Sequence, residues 1–332
     1  MTMFMPRTLG PLRPPPEAHS LLIRVTRNCP WNRCEFCSVF KGQRFRLRTV
    51  AEVQEDILAA KREADYIKAW AGQKGHSTAL TARYNGILWL DHGYVNSAFL
   101  QDSNSLIMKA EPLGEIVEFL YETFPNLERV SSYARGKTVC KRKPEELKRL
   151  REAGLSRLYM GLETGDDELL VYMKKGATAA EMIQAGRKVM EAGFELSEYV
   201  MPGLGGRERW EQHAENTARV LNEINPHFIR LRTLHLAEGT PLYEKARRGE
   251  FHVSSMEGVL IEIRRLIENL DVTSELITSD QAMNAFMGEC DGKLPEDKES
   301  LLESIDRALT WWREKGEPRR NPFLGSLNRS VD

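Results

Sequence analysis

Apolar and polar positions follow one repeating order along the first two-thirds of the chain. SLLIRVTR, residues 20–27, is a short β-like run with Leu22 and Val25 among apolar neighbours. From about 49 to 70, Val50, Val53, Ile57, Leu58, Ile67 and Trp70 recur at helical spacing, with Thr49 as N-cap and Glu52 three places on. Residues 72–97 contain glycines and show no readable period. The order then repeats. SAFLQDSN ends a strand, EPLGEIVEFLYETF is a helix opened by Pro112, LERVSSYAR is a strand and KPEELKRLREAGL a helix. SRLYMGLETG leads into a helix from about 167 to 192, FELSEYVMPGLGG into one from about 208 to 223, and HFIRLRTLHL is a final strand.

Six strand and helix alternations predict an α/β chain whose parallel strands are joined by right-handed crossovers. In such a sheet or barrel, ligands sit at the C-terminal ends of the strands. The polar clusters fall at those ends: residues 29–37, 101–104, 131–135, 163–165 and 202–206 each follow apolar strand residues, so one crevice collects them. Beyond Pro241, GVLIEIRRLIENL and KESLLESIDRALTWWREKG read as amphipathic helices without further strands, an extension that packs on the barrel or caps its mouth. Trp311 and Trp312 read as packing for the last helix, and the last dozen residues as frayed. Residues 1–19, broken repeatedly by Pro and Arg, read as an extended lead-in rather than a secretory signal.

The totals add bounds. With 332 residues, 41% hydrophobic and 29% charged positions and a net charge of -1, the chain describes an ordinary globular protein with a sizeable core. No charge imbalance points to nucleic acid. The basic runs at Arg44, Arg46 and Arg48 and at Lys141, Arg142 and Lys143 read as solvated faces, leaving no clear nucleic-acid surface. No stretch approaches the roughly 18 apolar residues that span a bilayer. The expected location is cytoplasmic, where clustered cysteines stay reduced and serve metals or catalysis.

Three of the five cysteines, Cys29, Cys34 and Cys37, fall in nine consecutive positions with C-x4-C-x2-C spacing. A closed zinc site wants a fourth ligand, but Cys140 and Cys290 are solitary and read as ordinary thiols, and the seven histidines show no paired spacing. A three-sulfur catalytic zinc is the weaker alternative, and a disulfide with a leftover thiol conflicts with the compartment. An iron-sulfur cluster fits best, because a four-iron cluster on three thiolates keeps one iron open to a small molecule.

Here the chain resembles the radical S-adenosylmethionine (SAM) superfamily, whose usual loop is CxxxCxxC with an aromatic residue before the last cysteine. Phe36 holds that place, and one extra residue separates the first two cysteines. The resemblance implies a partial (β/α)6 TIM-type barrel over residues 20–245, with residues 246–332 as a helical C-terminal extension. FLQDSN stands where the superfamily has its Gly-Gly-Glu-like strand end, making Gln101, Asp102, Ser103 and Asn104 the residues that meet the SAM amino group. MGLETGDDELLVYMKKG resembles the GxE/QSGxxxxLxxMxRG stretch of coproporphyrinogen dehydrogenases and methylthiotransferases. By that match Glu163 holds the ribose hydroxyls and Lys175, twelve residues on, pairs with the SAM carboxylate. YVMPGLGG resembles the glycine-rich turn near adenine, with Gly203, Gly205 and Gly206 letting backbone approach the base. Ser132, Arg135 and Tyr199 complete the candidate cofactor contacts. Glu198, Arg230, Arg232 and His235 lie on late strands and are candidates to face the barrel interior and a substrate.

The implied chemistry is reductive cleavage of SAM at a 4Fe-4S cluster, giving a radical that abstracts hydrogen from an unidentified substrate. It implies oxygen sensitivity and a low-potential electron donor, flavodoxin or ferredoxin. Two remaining cysteines are too few for a second cluster, and 28 residues before Cys29 leave no cobalamin domain. Val39 stands where coproporphyrinogen dehydrogenases carry an additional cysteine, so haem synthesis is not assigned. The competing class is an iron-sulfur electron carrier or metal-binding protein without SAM cleavage.

Overall fold

The computed structural model of the protein describes residues 12–280, 284 and 290–315. Ten strands occur in it: β1 (Leu21–Arg24), β2 (Thr26–Arg27), β3 (Arg46–Leu47), β4 (Ser97–Gln101), β5 (Arg129–Ala134), β6 (Leu155–Glu163), β7 (Glu195–Val200), β8 (Phe228–Leu231), β9 (Glu275–Ile277) and β10 (Gly292–Lys293). The helices are α1 (Val50–Gln73), α2 (Thr78–Tyr84), α3 (Ala110–Thr123), α4 (Gly136–Cys140), α5 (Pro144–Glu152), α6 (Asp167–Tyr172), α7 (Ala179–Glu191), α8 (Trp210–Ile224), α9 (Pro241–Arg247), α10 (Met256–Asn269) and α11 (Lys298–Lys315). One sheet runs β1-β4-β5-β6-β7-β8-β9-β10, parallel throughout except for the last pair, with β1 and β10 as its edges. β2 and β3 form a separate antiparallel pair flanking the cysteine loop. The six expected strands are β1 and β4 to β8, each followed by helix, which is the expected partial barrel.

The sheet's two faces are different. Leu21, Ile23, Leu100, Val130, Leu158, Met160, Leu196, Ile229 and Leu231 join the apolar layer shared with the helices. Each such leucine contributes roughly 1.5–3 kcal/mol by leaving water. Period-two alternation sends Leu22, Phe99, Tyr133, Tyr159 and Tyr199 to the other face, where they form a second cluster inside the barrel. Phe99 and Tyr133 meet edge to face with centroids 5.0 Å apart. The described part of the lead-in, residues 12–19, reaches this interior through Glu17. Glu17 is fully buried, accepts hydrogen bonds from Tyr159 Oη at 2.8 Å and Ser20 Oγ at 2.5 Å, and pairs with Arg129 at 3.1 Å.

Local chemistry sets the helix ends. The capping box at Thr49 and Glu52 forms as its spacing predicts: Thr49 Oγ1 accepts from the Glu52 N–H at 3.2 Å and Glu52 Oε2 from the Thr49 N–H at 2.9 Å. The third helix starts two residues ahead of Pro112, at Ala110. The single helix expected over 167–192 is two. α6 stops at Tyr172, Lys174 (φ 50) and Gly176 (φ 76) turn left-handed, and Thr178 recaps α7 with Glu181. The final strand stops at Leu231, so Arg232 and His235 lie in the loop beyond it. Residues 72–97 hold α2 and a 3-10 turn, Leu88–Leu90. Trp312 packs on the core, Trp311 is largely exposed, and the last dozen residues lie outside the described ones. Among the described residues no helix is long and apolar enough to cross a membrane.

The extension departs from the expectation of helices alone, because β9 pairs with β8 and β10 with β9. Two asparagines anchor the approach to β9. Asn222 Oδ1 accepts from the Asp271 N–H and Asn225 Oδ1 from the Thr273 N–H, both at 2.8 Å. Asn225 also ends α8 in the left-handed conformation (φ 48). Asn225→Ala removes the anchor and strains the backbone, whereas Asn225→Gly removes the anchor alone. Urea unfolding is expected to show both variants destabilised, Ala more than Gly by about 1 kcal/mol; equal losses would mean that the left-handed backbone carries no cost.

Candidate active site

β1 delivers the chain straight into the cysteine loop, which is closed by its own side chains. Asn28 (φ 68) and Asn32 (φ 47) are left-handed, a conformation asparagine tolerates. Asn28 Nδ2 donates to the Arg44 carbonyl at 2.8 Å and Asn32 Nδ2 to the Phe40 carbonyl at 2.5 Å. The Asn32 N–H points at Cys29 Sγ from 3.4 Å, and Lys41 Nζ donates to the carbonyls of Asn32 and Cys34 at 3.2 and 2.9 Å. Cys29, Cys34 and Cys37 are all half-buried and in no disulfide.

The turn after α6 forms the wall behind this loop. Trp31 Nε1 donates to the Lys174 carbonyl at 2.7 Å and the Glu35 N–H to the Met173 carbonyl at 3.0 Å. The Glu35 carboxylate is 2% exposed and lies 2.5 Å from Lys174 Nζ and 3.5 Å from Lys245 Nζ. Burial pushes its pKa up, but the hydrogen bond from Lys174 and the charge of Lys245 outweigh that, holding it below the usual range. The guanidinium groups of Arg33 and Arg135 each lie over Trp31, 5.1 Å from a ring centre. Gly176 is required here, since a Cβ would stand 2.4 Å from the Trp31 ring.

At the end of β4 the expected SAM-facing residues brace the loop. Asp102 is buried between Arg24 Nε at 3.1 Å and the Asn28 N–H at 2.7 Å, one residue before Cys29. Ser103 Oγ donates to the Asn28 carbonyl at 3.4 Å. Asn104 Oδ1 accepts from the Arg135 N–H at 3.2 Å while its Nδ2 donates to Thr138 Oγ1 at 2.9 Å. Gln101 Oε1 accepts from the Leu12 N–H at 3.1 Å, and Ser132 Oγ donates to the Leu100 carbonyl at 3.1 Å. These side chains fix where the loop and β5 end.

The charged centre lies at the end of β6. Glu163 (φ 62) meets Lys175 Nζ at 2.9 Å, and Lys175 Nζ stands 6.0 Å from the Phe36 ring centre. Arg135 donates to the Lys175 carbonyl at 3.0 Å. Burial works against the Lys175 charge, but Glu163 and Cys34 outweigh it, so its pKa is raised. The Cys34 thiol is raised, because its burial outweighs the pull of Lys175 and Arg135. Gly161 leaves the space for this pair: a Cβ there would stand 2.2 Å from Glu163 Oε1 and 3.0 Å from Lys175 Nζ.

The remaining sequence candidates separate. Glu198 is fully buried without a hydrogen-bond partner, and burial pushes its pKa up to about 8. It alternates in step with Leu196 and Val200 of the helix-side layer, yet lies within electrostatic reach of Lys175 and Glu163. Tyr199 is in the interior aromatic cluster with an unbonded hydroxyl. Arg230 is buried against Ser197 and Asp280, while Arg232 and His235 are exposed beyond β8. Gly203 (φ 84) gives its N–H to Glu262 Oε1 at 2.8 Å, so that amide faces the extension rather than a base. Glu262 and its neighbour His213 went unnoticed in the sequence; the available signal was an acid on the apolar stripe of α10 beside Val259, Ile263 and Leu266. Cys140 Sγ donates to Gln184 Oε1 at 2.7 Å, and Cys290 is buried, both away from the loop. Among the described residues no three His, Cys, Asp or Glu side chains gather around one ion position.

The Gly161 contact yields a thermodynamic test. Gly161→Ala is expected to cost about 1–3 kcal/mol by pushing Glu163 off Lys175, and clearly less in a Glu163→Ala background. Denaturant unfolding of the four-protein cycle measures this. Equal costs in both backgrounds would show that the new methyl does not act through Glu163.

Comparison with known proteins covers the same region. Residues 23–218 match the Radical SAM superfamily. The tRNA uridine(34) acetyltransferase of Methanocaldococcus jannaschii is 29% identical over 113 residues, 32% of this chain and 20% of that protein. The heme chaperone HemW of Bacillus subtilis is 27% identical over 114 residues, 34% of this chain and 30% of that protein. The chain thus spans less than a third of the length of these relatives. Among solved structures, coproporphyrinogen III oxidase from Escherichia coli has a TM-score of 0.49 at 16% identity, covering 75% of this chain and 51% of that one. Archaeal Elp3 from Methanocaldococcus infernus has a TM-score of 0.48 at 16% identity, covering 75% and 62%. With 23–218 matched, the cysteine loop at the end of the first strand and the charged pair at the end of β6 both inside that span, the chain belongs to the Radical SAM superfamily, whose enzymes use a 4Fe-4S cluster and SAM.

Proposed function

We propose that this protein holds one 4Fe-4S cluster on the thiolates of Cys29, Cys34 and Cys37, and that it cleaves SAM reductively to abstract hydrogen from a substrate. The carrying observation is that Cys34, one of three half-buried thiols on one loop, lies within electrostatic reach of a half-buried Lys175–Glu163 pair. The donor set fits: three soft sulfurs on one loop suit iron-sulfur chemistry, and Lys175 and Arg135 offset part of the burial that raises the Cys34 thiol. When bound, the cluster and SAM together supply one-electron cleavage of a SAM C–S bond, giving methionine and a 5'-deoxyadenosyl radical.

The chain's own residues bind, orient and exclude water. Lys175 offers an ammonium to the SAM carboxylate, and Glu163 offers carboxylate oxygens to the ribose hydroxyls. Arg135 spans the Trp31 face and the Lys175 carbonyl, so it fixes the turn carrying Lys175 relative to the cysteines. Asp102 sets the loop position through the Asn28 N–H, Asn104 and Ser132 fix the ends of β4 and β5, and Gln101 holds the lead-in at Leu12. Ser103, Tyr199, Phe36 and the Gly203 turn complete the proposed cofactor contacts. Exposed Arg33, Arg44 and Arg46 around the loop suit an acidic low-potential donor of the flavodoxin or ferredoxin kind. The relatives' names describe different jobs, tRNA acetylation and haem chaperoning, so the stretch shared with this chain is better read as common cofactor chemistry than as substrate recognition. An electron carrier built on the same loop is the competing reading.

Anaerobic reconstitution with iron and sulfide, then dithionite and SAM, separates the two. The expected result is release of 5'-deoxyadenosine and methionine, lost together with the cluster's visible absorption in Cys34→Ala. Full cluster loading without SAM cleavage would favour the carrier, and a Cys34→Ala protein with normal iron and absorption would overturn the ligand set.

A further inference from the structure

The segment after β6 is gripped residue by residue by α8. Thr164 Oγ1 lies 2.7 Å from His213 Nδ1, the Gly165 N–H donates to Thr217 Oγ1 at 2.9 Å, and Asp166 accepts from Asn216 Nδ2 at 3.0 Å and from Arg209 at 2.8 Å. The approach is so close that a Cβ on Gly165 would stand 2.3 Å from the Asn216 carbonyl. Glu163, immediately before this grip, is left-handed, a conformation that costs a non-glycine residue about 1–3 kcal/mol and so must be held by its surroundings.

The grip continues into the C-terminal extension. His213 Nε2 lies 3.1 Å from the Met201 carbonyl, which assigns the ring proton to Nε2 and makes Nδ1 the acceptor for the Thr164 hydroxyl. The Met201 N–H in turn donates to the Glu163 carbonyl at 3.0 Å. Glu262 Oε1, from α10, lies 3.4 Å from the same Nε2 and accepts the Gly203 N–H at 2.8 Å. Glu262, His213, Thr164 and Thr217 are all buried, and Glu262 Oε2 has no partner. Burial pushes Glu262 up to about 8 and His213 down to about 4, so the network is mainly neutral near pH 7. A polar group is costly in such a place unless it organises its neighbours.

We propose that Glu262 is a positioning residue for the nucleotide end of the SAM site: from the extension it fixes the Gly203 turn directly and, through His213 and Thr164, the left-handed Glu163. On this reading the helices after β8 shape a site whose proposed SAM contacts come from earlier parts of the chain. This rests on reading Glu163 and the Gly203 turn as SAM-binding.

The test compares Glu262→Gln, Glu262→Leu and Thr164→Val with the parent, all reconstituted anaerobically with matched iron and sulfide content. The SAM and S-adenosylhomocysteine Kd values are measured by equilibrium dialysis, and KM and kcat for 5'-deoxyadenosine release are measured alongside. Glu262→Gln keeps a neutral carbonyl acceptor for the Gly203 N–H and is expected to stay within about twofold of the parent. Glu262→Leu is expected to weaken both ligands roughly tenfold, the scale of one lost buried hydrogen bond, and to raise KM more than it lowers kcat. Thr164→Val, which cuts the far end of the relay, shifts Kd the same way and carries the test if Glu262→Leu does not fold. Folded Glu262→Leu or Thr164→Val protein with parental Kd overturns the proposal, as does a Gln variant as impaired as Leu. A parent protein that binds no SAM overturns the underlying reading instead, so the two failures are distinct.

Discussion

The architecture of the site depends on the pinning of the cysteine loop to the turn after α6. Trp31 on the Lys174 carbonyl, the Glu35 N–H on the Met173 carbonyl and the Glu35–Lys174 ion pair join two segments about 140 positions apart in sequence, and Lys245 of α9 closes on Glu35 from a third. Because Lys175 follows Lys174 directly, the same turn that anchors the loop aims an ammonium at Glu163 beside Cys34. Thiols, cation and carboxylate thus share one wall. The desolvation of a half-enclosed charged pair is offset only while both partners are present, so each member fixes the others.

This constraint explains why glycines stand where they do. Gly161 makes room for the Glu163 carboxylate and Gly176 for the Trp31 ring, and at each a methyl would overlap that side chain. It also explains the breaks in regular structure. α6 is one and a half turns long because the Met173-to-Gly176 segment must turn back to meet the loop, and β6 shifts register near its end where Glu163 turns left-handed.

Much of this was legible in the sequence. Alternating runs and caps gave the six parallel strands, and C-x4-C-x2-C spacing gave the loop and its place at a strand's C-terminal end. Other features were invisible to periodicity for definite reasons. Lys174 and Lys175 continue an apolar helical pattern on either side, so only Gly176 and the Thr178 capping box marked the break. β9 and β10 are too short to show alternation and exist because β8 offers an edge and two asparagines anchor the approach. Asp102 and Asn104 were legible as polar strand-end residues, but their partners, the backbones of Asn28 and Arg135, are set by tertiary packing alone. Glu262 and His213 lie on different helices, and nothing in local sequence links them.

The central claim is that the loop leaves one iron open and that Lys175 and Glu163 hold a ligand against it. Electron-nuclear double resonance on the reduced, reconstituted protein with SAM labelled at its amino nitrogen and carboxylate tests this directly. The account predicts hyperfine coupling from both labels to the cluster; a fully loaded cluster that shows neither coupling with SAM present would contradict it.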